Sequence, residues 1–278
     1  MKMWKQLLKN FAFTAGLILT LLLILSALAA PLLAPHDPNM QDTARRLEAP
    51  SQTHPLGLDD LGRDVLSRIV YGSRVSLRVG FSVVILAALI GVTLGAIAGY
   101  FGGAIDLIVM RLCDILLSFP GILLAIALVA VLGPSLNNVI LALVITAWVG
   151  YARLVRGQVL KVREMEFVTA AKALGAKAPR VILLHVLPNI MNPVIVMATL
   201  GLGGVILSEA ALSFLGLGVQ PPTPSWGAML TSGRRYLGLA NHLAIFPGAA
   251  IMLAVMGLNF LGDGLIDALD PKFRKEMR

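Results

Sequence analysis

The sequence predicts an all-α, polytopic membrane protein with about six transmembrane helices and one large basic insertion on the cytoplasmic side. Two observations carry that fold class. Hydrophobic residues make up 57% of the chain and charged residues only 14%, against roughly 25% charged in a soluble domain. The apolar residues are also gathered into uncharged runs, and a helix crosses the bilayer with about 20 such residues. A net charge of +8 would point to nucleic acid in a soluble chain. Here lysines and arginines flanking the spans account for it, so membrane lipid and not nucleic acid is the expected surroundings. Cys113 is the only cysteine, which excludes an intramolecular disulfide and a cysteine-cluster metal site.

The first element follows Lys2, Lys5 and Lys9. Residues 11–34 carry no charge and are long enough to span. Ala27-Leu28-Ala29 could pass as a signal-peptide cleavage site, but the apolar run is too long for a signal core and continues beyond the cut. An uncleaved span is expected. Residues 35–78 are polar and read as an external loop, which gives a first unit of residues 1–78. A five-span core over 79–265 and a cytoplasmic tail over 266–278 complete the division.

Residues 79–105 form the second span. Within it Gly91, Gly95, Gly99 and Gly103 recur every fourth residue, extended upstream by Ala87. Such a stripe of small residues lets two membrane helices pack closely. Asp106, Arg111 and Asp114 follow at the expected cytoplasmic boundary, the latter two spaced to pair on one helix face. Residues 115–152 are uncharged and long enough for two spans, divided by the turn Gly133-Pro-Ser-Leu-Asn-Asn138. Arg153 and Arg156 are expected to snorkel from the cytoplasmic end of the fourth span.

The basic insertion covers residues 157–188. Val162, Phe167, Ala170, Ala171 and Leu174 recur at helical spacing, with Arg163, Glu164, Glu166 and Lys172 on the other face. Gly175 stands where that helix would stop and Pro179 where another would start. Pro188 then opens a fifth span, which reaches about Glu209. By composition alone the insertion is a basic amphipathic helix on the membrane surface. Glu209, an ionisable group at a span's end, is a candidate for translocation, although a structural role is favoured. An external connection to Trp226 and a sixth span over 243–261 follow. On this topology 15 Lys and Arg lie inside against 8 outside, which places both termini in the cytoplasm.

Several chemistries have no support. No G-x-x-x-x-G-K-[ST] run is present, so the chain should bind no ATP by itself. His36, His54, His185 and His242 show no H-E-x-x-H spacing. His36 and His54 share the external loop and could touch a metal, but loop histidines without a cluster are more often ordinary polar surface. No catalytic triad can be placed, and an enzyme is not expected.

Four strings carry a resemblance. Ala170-Ala171, Gly175 and Leu187-Pro188 have the spacing of the EAA loop of ABC-importer permeases, with Thr169 in place of the glutamate and His185 in place of the isoleucine. Phe167-Val168 and His185 to Asn189 fit the peptide branch of that family. The string HPLGLDDLGRDVLSR over 54–68, EAALSFLGLGVQPPTPSW over 209–226 and GDGLIDALDP over 262–271 resemble the C-type permease subunit of the dipeptide/oligopeptide/nickel importers. The resemblance implies the binding-protein-dependent transport permease fold. It also implies a homologous B-type permease, two ATPase subunits that carry ATP and Mg, and an extracytoplasmic solute-binding protein as partners. Phe167, Ala170, Ala171, Leu174 and Gly175 would then contact an ATPase, with Arg163, Glu166 and Lys172 as a polar rim. Small peptides are the expected solute, and nickel or a chelated metal is the alternative. An ATP-independent channel or a membrane scaffold is the rival class, and the spans offer it only Glu209 as an ionisable group.

Overall fold

A computed structural model describes residues 10–269, and eleven helices occur among them. Helix α1 (Phe11–Leu28) begins where the Asn10 side chain accepts a hydrogen bond from the Phe13 amide. A short α2 (Ala30–Leu33), with proline in its first turn, leads into an irregular loop. Asp64 caps α3 (Val65–Phe101), accepting from the Ser67 amide. At about 1.5 Å per residue, its 37 residues extend about 55 Å, well beyond the bilayer core. The division expected at residue 78 therefore falls inside an unbroken helix. Residues 65–78 had been read as loop because their arginines and serines mask the helix period.

Gly102, at φ 68°, ends α3 and starts α4 (Gly103–Leu117). Helix α5 (Gly121–Leu132) follows at an angle of 85°. This corrects the third expected span, which was read as one straight run from residue 115. Proline lacks the amide a continuing helix needs, and Pro120 sits at the break. Ser135 caps α6 (Leu136–Val162). Helices α7 (Glu166–Ala173) and α8 (Ala178–Val181) form the basic insertion.

A π-helical turn over Ile182–Val186 joins α8 to α9 (Leu187–Phe214) without a break. Pro188, expected to punctuate, is absorbed by that wider turn, since its ring would clash with the carbonyl one α-turn back. Helix α10 (Trp226–Gly233) folds back against the bundle, where the indole of Trp226 donates to the Ile69 carbonyl at 2.9 Å. Helix α11 (His242–Leu269) is longer than the span expected at 243–261 and takes in the first residues assigned to the tail. Asp270, Pro271 and the basic residues of the tail, like Lys2, Lys5 and Lys9, lie outside the described residues.

Five helical stretches are long and apolar enough to cross a membrane: α1, α3, α6, the continuous α8–α9 and α11. The bent α4–α5 pair makes six if it counts as one span. Helices α3 and α6 pack side by side, α1 lies on α11, and α9 touches α3, α6 and α11. One buried apolar cluster joins α3, α6 and α9 at one end of the molecule, and Val168 of α7 and Val181 of α8 belong to it. Val168 and Val181 thus anchor the basic insertion to the core.

Candidate functional site

The insertion holds its shape through backbone geometry. At the end of α7 the Ala176 amide donates to the Ala171 carbonyl at 3.1 Å, and the Gly175 amide to the Lys172 carbonyl at 2.9 Å. That pair of bonds is a Schellman cap, which places its glycine in the left-handed region, and Gly175 has φ 82°. Pro179 lies in the first turn of α8, where a missing amide costs nothing.

Inward, α7 is anchored by Val168, which is fully buried against the cluster that includes Val155, Val159 and Val181. Outward it presents Phe167, Ala170 and Leu174, and Leu174 is 89% exposed. Of the apolar positions read from the sequence, Val162 turns into the core and Ala171 is half-buried. Val168 was quoted only as a letter of the family pattern. Its place about 120° round α7 from Leu174 leaves it off the outward face.

Charged side chains brace the insertion to α3 and, next to it, α6 to α4. Arg163 donates from Nη1 to the Gly99 carbonyl at 2.8 Å, near the end of α3 where carbonyls lack helical partners. The Lys172 ammonium lies 5.1 Å from the centre of the Tyr100 ring. Arg163 and Lys172 therefore reach α3, while Lys172 stays exposed beside the apolar face. Glu166 is exposed in the first turn of α7, where the helix dipole favours a negative charge. Arg156 makes two bonds to Asp106, at 2.5 and 2.6 Å, and Arg153 pairs with Asp114. The partners of Arg153 and Arg156 are acids of α4, which the sequence places some 40 to 50 residues away.

The glycine stripe divides. A methyl group on Gly91, Gly95 or Gly99 would run into α6, at Trp148, Ala152 and Val159 respectively. A methyl group on Gly103, at φ 57°, would meet nothing within 4 Å. This glycine starts α4 and takes no part in the packing, because α3 ends at Phe101.

Glu209 lies in α9, five residues before the helix ends at Phe214. It is 1% exposed, and its Oε1 accepts from Ser213 Oγ at 2.6 Å. Oε2 is buried and has no hydrogen-bond partner among the described residues. The histidines of the first loop are not scattered either. The rings of His36 and His54 stand 4.5 Å apart beside Asp64.

Comparison with known proteins places these features in one group. Residues 91–275 match the family described as the binding-protein-dependent transport system inner membrane component, and residues 1–50 match the N-terminal transmembrane domain of oligopeptide transport permease C. The chain is 51% identical to the dipeptide transport system permease protein DppC of Alkalihalophilus pseudofirmus, over 98% of this chain and 89% of that protein. It is 45% identical to the glutathione transport system permease protein GsiD of Pectobacterium atrosepticum, over 98% and 90%. Identity to the di/tripeptide transport system permease protein DppC of Pseudomonas aeruginosa is 44%, over 98% and 91%.

Proposed function

Because the chain belongs to the binding-protein-dependent transport permeases, we propose that it is one of two membrane subunits of an ATP-driven importer of small peptides, worked by separate ATPases through α7. The observation that carries this reading is the outward apolar face of α7. Phe167, Ala170 and Leu174 stand exposed on a helix whose other side is locked into the core by Val168. Such a helix is a rigid knob suited to a groove on a partner, in the manner of an amphipathic helix laid in an apolar groove.

Rigidity matters for transmission. An ATPase pair can shift the permease between states only if it binds those states differently. A displacement of α7 passes to α6 through Val168, to α3 through Arg163 and to the continuous α8–α9 through the elbow. On this reading α7 faces the cytoplasm, both termini lie on that side, and the chain sits in the inner membrane. ATP and Mg belong to the ATPase subunits. A homologous second permease completes a solute path between the two subunits, and an extracytoplasmic binding protein delivers the solute. The names of the three relatives, dipeptide, glutathione and di/tripeptide permeases, support a small peptide as that solute.

The test is uptake of a labelled dipeptide by cells that carry or lack this subunit. ATP-dependent uptake that requires the chain, and that unlabelled di- and tripeptides but not Ni2+ compete away, is the expected result. Competition by Ni2+ alone would overturn the peptide assignment.

A further inference from the structure

The end of α3 remote from α7 carries a cluster outside the α7 face. Asp64 caps the helix with one carboxylate oxygen, Oδ2, which accepts from the Ser67 amide and the Ser67 hydroxyl, each at 2.7 Å. Its other oxygen, Oδ1, is left for His54 Nδ1 at 2.9 Å. The Ser67 hydroxyl also accepts from the His36 amide at 3.1 Å, which draws the loop after α2 against the same turn. His36 Nε2 lies 3.0 Å from the Thr53 carbonyl. A carbonyl can only accept, so Nε2 carries the proton and Nδ1 keeps its lone pair.

We infer that His36, His54 and Asp64 form a binding site for a divalent transition-metal ion such as Zn2+, which ties the first loop to the start of α3. One donor atom from each residue lies within 4.8 Å of the other two. Zinc bonds of about 2.0–2.1 Å put tetrahedral ligands roughly 3.3 Å apart. The His54–Asp64 pair stands close to that spacing, and the His36 ring has to move in, pivoting about its Nε2 bond to Thr53, to complete the set. Two imidazoles and one carboxylate are a donor set that zinc accepts, with water in the fourth position. A metal-bound histidine commonly donates its other ring N–H to a carbonyl, and His36 already does so to Thr53. The Asp64 side chain is 1% exposed and supplies the negative charge.

One neighbour opposes the ion. Arg45 Nη1 lies 3.4 Å from His54 Nε2. Metal on Nδ1 puts the proton on Nε2, so that contact must open. Arg45 can leave, because it is exposed and held separately by Glu48 at 2.7 and 2.8 Å. Hydrogen bonding to Arg45 holds the Glu48 carboxyl below its ordinary range, so the pair stays ionised near neutral pH. Removing the Arg45 guanidinium should therefore tighten metal binding.

The test uses the full chain, purified with its partner permease on a histidine-free tag and stripped with EDTA. Zn2+ alone is titrated against a chromogenic chelator. The expected result is one saturable ion per chain, at least tenfold weaker binding in His36→Ala and tighter binding in Arg45→Gln. X-ray absorption of the loaded wild type should show imidazole ligands at about 2.0–2.1 Å, and this readout does not depend on any variant folding. Absence of saturable binding, equal affinity in wild type and His36→Ala, or a bound ion without imidazole ligands would each overturn the site.

Discussion

Glu209 faces a group on the opposite helix that shares its condition. Gly80 of α3 lies against Leu202 and Ile206 of α9, and Val84 lies beside Gly201. Rising numbers on one helix meet falling numbers on the other, so the pair is antiparallel, and Ser76 falls at the level of Glu209. Ser76 Oγ is fully buried and, like Glu209 Oε2, has no hydrogen-bond partner among the described residues. A side-chain rotation or one bridging water would satisfy both. Glu209→Gln keeps the volume and the bond to Ser213, and should melt close to wild type. Glu209→Ala should lose about 1–3 kcal/mol, the usual cost of stranding buried polar partners. A cycle of Glu209→Ala with Ser76→Ala, followed by thermal unfolding in detergent, should show a coupling of about 0.5–3 kcal/mol. Additive effects would remove Ser76 from the account. A structural glutamate near the end of the fifth span is legible in the sequence. Its level against Ser76 depends on how two distant helices align, and a linear pattern does not carry that.

Among the elements, α3 and α6 show how a spacing rule succeeds and where it stops. Gly91, Gly95 and Gly99 all approach α6, and spacing alone put them on one face. Gly103 keeps the spacing but lies past Gly102, whose positive φ ends the helix. Gly95→Val should push α3 off the Ala152 backbone and sharply lower the yield of folded subunit. Gly103→Asn should leave yield near wild type, since asparagine tolerates a left-handed φ in open space. Comparable yields from the two variants, read by fluorescence-detected size exclusion, would contradict the division. The 85° bend at Pro120 escaped the reading because an unbroken apolar run conceals where a helix turns. The elbow at Gly175 and the start at Pro179 were legible, because glycine and proline act there through local backbone geometry. The long-range pairs Arg153–Asp114 and Arg156–Asp106 were not legible, since their partners lie on another helix.

At the scale of the molecule, side-chain contacts join the basic insertion to the end of α3, and α6 to α4, at one end of the bundle. In the proposed importer that end receives force at α7 and delivers it to the spans. The repeated motifs made the family legible, but not which side of α7 would be free. That depends on Val168 filling a gap between α6 and α8, which only packing reveals. The most direct test is copurification from detergent of the ATPase subunits with wild type, Phe167→Asp and Leu174→Asp, followed by an ATPase assay. Both side chains are exposed, so the variants should reach the membrane and assemble with the partner permease as wild type does. The account predicts that ATPase subunits accompany wild type and that each variant loses most of them, together with uptake. Full ATPase retention and normal uptake in both variants would contradict docking at α7.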